Sequence, residues 1–167
     1  SYTNSSLSTG KVYYYKVRAY HKEGKSYIDG SYSNIKSVKP VPSVPSPSAA
    51  SAGYTSIKIS WAAVLGASGY ELCRTDASGA IVEDKINASK ATYTYYTQQE
   101  LETNTSYYYK VRAYRTVSGQ PVYGSYSKIV TAKPVPAAPS IKVSTDTYNT
   151  LKITWKAVAG ATKYDIY

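Results

Sequence analysis

The chain has 167 residues, 43% of them hydrophobic, with 21 Tyr, 2 Trp and no Phe. Twenty Lys and Arg against ten Asp and Glu leave a net charge of +10, carried by basic residues scattered without a run of five or six. A single cysteine excludes an intrachain disulfide, and no apolar run approaches the ~18 residues of a membrane-spanning helix. Stability therefore has to come from packing, and the charge reads as a solvated basic face, with no nucleic-acid partner expected. Long runs of Leu, Ala and Glu are missing, whereas Tyr suits a pleated, half-buried surface, so strands should dominate. The sequence has no Met and starts in the middle of a pattern, which reads as a processed piece of, or a window on, something longer.

In chain order, the first clear signal is Tyr13-Tyr14-Tyr15-Lys16-Val17-Arg18-Ala19-Tyr20. Its alternation fits a strand with one buried and one wet face. The same eight residues return at 107–114, an offset of 94. Other segments repeat at that offset: Ser-Ile-Lys-Ile-Ser-Trp at 56–61 with Thr-Leu-Lys-Ile-Thr-Trp at 150–155, Gly66-Ala67 with Gly160-Ala161, and Tyr70 with Tyr164. Gly-Ser-Tyr-Ser at 30–33 and 124–127, and Lys-Pro-Val-Pro at 39–42 and 133–136, complete the series. A repeat of this length with no insertion predicts units of one shared fold.

Residues 21–30 read as a loop. The proline-rich stretches 40–47 and 134–139 read as boundaries, because Pro fixes φ and donates no hydrogen bond. They divide the chain into residues 1–41, the back part of one unit; 42–135, a complete unit; and 136–167, the front part of a third. Within the complete unit the expected strands are 48–52, 55–62, 69–74, 80–86, 92–97, 105–114 and 126–133. Turns are expected at 76–79 and 87–90, and the longest connection at 115–124. Residues 136–167 should hold the first three strands of their unit, and 1–41 the last two. Short strands about 8–12 residues apart, with turn residues between them, predict an all-β sandwich.

These features together resemble the fibronectin type III family, an Ig-like β-sandwich. The resemblance rests on Trp61 and Trp155 in the second strand, and on Tyr70 with Leu72 and Tyr164 with Ile166 in the third. Leu101 with Tyr107, and Leu7 with Tyr13, match the tyrosine corner, whose hydroxyl is expected to bond backbone. Tyr109, Val111 and Ala113 match the sixth strand. The Pro-Gly pair common inside the corner is replaced by Thr103-Asn104 and Thr9-Gly10, and no Arg-Gly-Asp triplet is present. The wording at 10–20 and 30–33 is closest to tandem modules of secreted and surface proteins of Gram-positive bacteria, which implies an extracellular or cell-surface setting.

The outward half of the repeated strand, Tyr108, Lys110, Arg112 and Tyr114, with Tyr14, Lys16, Arg18 and Tyr20 in the first copy, is the candidate binding face. An aromatic–basic stripe can stack on sugar rings and pair with anionic groups. The competing reading is cross-strand pairing, with Glu71 in reach of Lys110 or Arg112 at roughly 0.2–1 kcal/mol. Trp61 and Trp155 read as core, and losing either should cost roughly 3–5 kcal/mol. Cys73 should point outward, and the only His, His21, lies in another repeat, so no thiol–imidazole pair is expected. No catalytic residue, metal ligand or cofactor site emerges: the carboxylates are unpaired and no Asp-x-Asp-x-Asp-Gly or phosphate-cradling loop occurs. Three Asn-x-Ser/Thr triplets, at Asn4, Asn87 and Asn104, would matter only in a host that glycosylates them.

The leading expectation is a non-catalytic spacer or stalk of tandem units. The alternatives are an adhesion module for polysaccharide, anionic wall polymer or a host protein, and an accessory region of a secreted enzyme. A head-to-tail neighbour could also complete the partial units by strand complementation.

Overall fold

The computed structural model describes residues 1–83 and 86–167. They form strands, turns and irregular segments, and among them no helix is long and apolar enough to cross a membrane. The all-β expectation holds.

The centre of the chain is a β-sandwich. One sheet joins β5 (Pro47–Gly53), β6 (Ser56–Trp61) and β9 (Tyr95–Gln98) in that order, all antiparallel. The other runs β11 (Gln120–Tyr123), β10 (Tyr107–Val117), β7 (Gly69–Thr75), β8 (Ile86–Ala88), with β12 (Val130–Ala132) also pairing β10. Before the sandwich stand β1 (Tyr13–Tyr15), paired with β4 (Lys36–Val38), and the hairpin β2 (Arg18–Glu23)–β3 (Ser26–Tyr32). After it stands the hairpin β13 (Ile141–Thr147)–β14 (Thr150–Trp155).

The core follows from period-two alternation. β6 sends Ile57, Ile59 and Trp61 inward, β7 sends Tyr70 and Leu72, and β10 sends Tyr107, Tyr109, Val111 and Ala113. Leu101 closes one end. Trp61 meets Tyr70 edge-on, with ring centroids 5.3 Å apart. Tyrosine serves here because its hydroxyl can reach backbone from inside an apolar layer. The Tyr107 hydroxyl accepts from Glu102 N at 3.0 Å, and Tyr13 repeats the bond with Ser8 N at 3.0 Å, which is the expected corner. A second bond of this type was not foreseen: Tyr70 Oη accepts from Val64 N at 2.8 Å, and Tyr164 Oη from Val158 N at 2.7 Å.

Several boundaries depart from expectation. Residues 115–124 and 21–30 are hairpins rather than loops. β10 runs on to Val117 and returns as β11 through Ser118 and Gly119, both at positive φ (49° and 77°), as a tight two-residue turn requires. Glu23 pairs with Ser26 across the matching turn of the first copy. Among the described residues at 80–83, where a strand is expected, only Ile81 forms a bridge, to Thr75, because the Asp76 carboxylate takes up Ser78 N, Ser78 Oγ and Ala80 N and folds the chain tightly there. Pairing resumes at β8, which covers part of the expected 87–90 turn. Residues 84 and 85 of that expected strand lie outside the described residues.

The strand expected at 126–133 begins only at Val130, and that expected at 92–97 is β9, shifted toward Gln98. In the trailing segment only two strands pair. Tyr164 and Ile166 have no ladder partner among the described residues, whereas their counterpart β7 is held between β8 and β10. Trp155 is consequently half-buried, its ring tilted against Tyr164 with centroids 5.3 Å apart, rather than enclosed like Trp61.

Candidate functional site

The outer face of β10 carries the stripe expected to bind, and on the central sandwich that stripe is already occupied. Val111 pairs with Leu72 and Arg112 with Glu71 in the β10–β7 register, so Arg112 and Glu71 share the outer face. Arg112 Nε donates to Glu71 Oε1 at 2.9 Å, and Nη2 lies 2.9 Å from the same oxygen. Glu71 is 3% exposed although it faces away from the core. The reason is a second layer of side chains. The guanidinium lies between the rings of Tyr123 (3.8 Å to the centroid) and Tyr126 (4.5 Å). Lys110 Nζ sits over Tyr126 at 4.7 Å and donates to the Gly79 carbonyl at 2.7 Å. Tyr114 packs edge-on against Tyr123 at 5.7 Å. Tyr108 borders a polar groove with Arg74, Asp76 and Thr105.

The Gly-Ser-Tyr-Ser segment builds this layer. Gly124 N donates to the Ala113 carbonyl at 2.9 Å, and Ser127 N to the Val111 carbonyl at 2.8 Å. Ser127 Oγ then accepts from Val111 N at 3.0 Å and donates onward to the Lys128 carbonyl at 2.7 Å. The hydroxyl thus stands in for a ladder carbonyl, which explains why no regular strand forms before Val130. Tyr126 between them is folded over the sheet, where its hydroxyl donates to Glu71.

The first copy repeats the device. Ser33 N donates to the Val17 carbonyl at 2.7 Å and Ser33 Oγ accepts from Val17 N at 3.0 Å. Tyr32 lies under Lys16 (4.0 Å) and Arg18 (5.0 Å). The acid differs: Arg18 pairs with Asp29 at 2.7 Å, the position of Tyr123 in the second copy. Tyr14 and Tyr20 remain largely exposed, at 71% and 64%, and Tyr20 meets Tyr27 edge-on at 5.1 Å. Tyr108, Lys110, Arg112 and Tyr114 thus share one face of β10, whereas the first-copy strand expected at 13–20 is broken after Tyr15, leaving Tyr14 on β1 and Arg18 with Tyr20 on β2, in separate two-stranded sheets.

Cys73 faces outward in the pleat, as expected, yet it is fully buried there, with Sγ 3.2 Å from the Tyr126 hydroxyl and 4.0 Å from Glu71 Oε1. His21 stands on β2, paired with Ile28. Among the described residues no group of three or more His, Cys, Asp or Glu is placed to hold a metal ion. The covering tyrosines were missed in sequence reading; their signal was the return of Gly-Ser-Tyr-Ser at the same offset as the strand.

Burial pushes the phenols of Tyr109 and Tyr126 well above the ordinary tyrosine value of 10.0, and the thiol and carboxylate beside Tyr126 push it further. A raised folded-state value favours the protonated phenol in the native state. The stability it contributes is complete below the unfolded value of 10.0 and is lost as pH climbs from there toward the folded value. Alkaline titration in the tyrosinate absorption band is expected to show Tyr109 and Tyr126 ionising only as circular dichroism reports unfolding. Their ionisation with the fold intact would contradict this.

No family model matches the chain, and no curated protein matches its sequence. Solved structures that match include fibronectin type III domains. The FN1–FN3 domains of chicken CNTN1 are 22% identical over 80% of this chain and 46% of that one, with a TM-score of 0.47. This chain thus spans about half the length of that fragment. An Fn3-like protein from Clostridium thermocellum is 25% identical over 59% of this chain and 96% of its own, with a TM-score of 0.45. The FN5 domain of Drosophila Lar is 23% identical over 56% and 97%, with a TM-score of 0.42. The chain is all-β with sandwich-like sheets, as the alternation predicted.

Proposed function

We propose that this chain is a non-catalytic spacer, a stalk of tandem fibronectin type III-like units in an extracellular or cell-surface bacterial protein. The observation that carries the reading is the way its proline stretches are held. Gly10 N donates to the Pro40 carbonyl at 2.8 Å, and Asn104 N to the Pro134 carbonyl at 2.8 Å, the same bond at the 94-residue offset. Pro42, Pro45 and Pro134 are buried. Val135 and Ser51 bond in both directions, Ser51 Oγ donating to the carbonyl and accepting from the amide, each at 3.0 Å. Each connection is thus pinned at its start to the unit it leaves, which shortens the free tether between units and favours a spacer over a flexible link.

A second reading, adhesion to polysaccharide, anionic wall polymer or a host protein, is favoured by the exposed rings of Tyr14 and Tyr20. An accessory role beside a secreted catalytic domain is compatible with the spacer. Affinity electrophoresis of the chain in gels containing neutral or anionic polysaccharide tests the choice. Migration unaltered by polymer at physiological salt supports the spacer. Retardation abolished by Tyr14→Ala with Tyr20→Ala would overturn it in favour of adhesion.

A further inference from the structure

We propose that the end of the central sandwich bearing Tyr54 is a docking surface for the following repeat unit, with the Tyr54 ring on Gly160 as its fixed point. The inference rests on the tandem-unit reading and adds what joins one unit to the next. Gly160 lies at positive φ (77°) in a turn closed by Ala161 N donating to the Val158 carbonyl at 3.1 Å. A Cβ built on it would run into Cγ, Cδ2 and Cβ of Tyr54. The backbone of the trailing turn is thus laid against an aromatic ring, an approach only glycine permits, at a φ that also favours glycine. The ring is presented firmly: Thr103 Oγ1 donates to the Tyr54 carbonyl at 2.6 Å, and Leu101 N to the Thr55 carbonyl at 2.9 Å. Tyr148, which holds the same position 94 residues on, is 98% exposed, whereas Tyr54 is 39% exposed.

A separate contact points to the same end. Gly10, also at positive φ (81°), lies in the corner loop preceding β1, and a Cβ there would come within 3.0 Å of Val122 Cγ2 on β11. Beside it, Gly124 packs on the Pro42 carbonyl. The position 94 residues after Gly10 is Asn104, in the loop that Thr103 ties to Tyr54. By the repeat, then, the β5–β6-type turn and the corner loop of one unit face the next. The first seats on its glycine turn, the second on its β10–β11-type hairpin. The occupant is specified chemically: a turn with glycine at positive φ, bare enough to lie flat on a phenol ring.

Solution NMR of the full chain tests this. In the unaltered protein the Gly160 Hα resonances are expected to be displaced upfield by the Tyr54 ring current. Residual dipolar couplings from the central sandwich and from β13–β14 are expected to fit one alignment tensor. Tyr54→Ala should abolish the displacement and split the tensors while leaving core shifts of the sandwich in place, and Gly160→Ala should do the same from the other side. Two tensors in the unaltered chain, or a Tyr54→Ala variant with the displacement intact, would overturn the proposal. A Tyr54→Ala variant that keeps one alignment tensor, with polymer-independent migration, would sink the docking surface alone; polymer retention would sink the spacer alone.

Discussion

Arg112→Met is expected to lower stability by about 3 kcal/mol, near the lower end for breaking a buried ion pair from one side. The cost falls on Glu71, which would keep a carboxylate at 3% exposure after losing two guanidinium contacts at 2.9 Å. Glu71→Met should cost less, because the Arg112 side chain is 20% exposed and its charge can turn toward water while still stacked between Tyr123 and Tyr126. The double variant should recover most of the loss, since an apolar pair of similar volume removes both charges from the covered layer. Urea midpoints followed by far-ultraviolet circular dichroism give all three values. An Arg112→Met midpoint equal to that of the unaltered chain would show that the tyrosine layer admits water to Glu71. The pair would then be worth no more than the surface value expected from the sequence.

Trp61→Ala is expected to cost about 3–5 kcal/mol, the range for truncating a large enclosed aromatic. Trp61 is 6% exposed and packs among Ile59, Tyr70 and Tyr109 in one continuous core. Trp155→Ala, by contrast, should cost about 1 kcal/mol, because the partly wet ring gives up little buried area. That corrects the sequence-level expectation that the two tryptophans are equivalent. The comparison needs circular dichroism rather than fluorescence, as each variant removes one of the two indoles. Equal losses at both sites would mean that Trp155 is enclosed in solution by something other than β13 and β14.

What was legible in the sequence is what alternation encodes. Tyr107, Tyr109, Val111 and Ala113 are all buried and the alternate residues Tyr108, Lys110, Arg112 and Tyr114 are not, so the inward half of β10 could be read directly. Trp61, Tyr70 and the corner were legible because each sits at a fixed short distance from its partner. The covered layer was not, because it joins Glu71 and Cys73 to Tyr126, more than fifty residues away. Sequence period tells which face a side chain takes but not what lies on top of that face. Cys73 shows the difference: outward in the pleat, yet fully buried. The hairpin tip was missed because Arg115 and Thr116 are polar neighbours that break the alternation, leaving Ser118-Gly119 as the only turn signal.

The identity of residues 13–20 and 107–114 has a consequence for how the chain reaches its structure. Two strands of one sequence are interchangeable, so the earlier one could lie beside β7 with the same side chains inward, and nothing in the strand itself would penalise the exchange. Discrimination falls to connectivity. β10 is joined to β11 by a two-residue turn, and its corner bond reaches only from Tyr107 to Glu102, so these contacts close early. Recruiting the other copy would lengthen the connection to β7 from 31 to 48 residues, which adds less than the ~0.6 kcal/mol of a doubling, so the local hairpin and corner contacts decide. Each copy keeps to its own sheet because its neighbours arrive first.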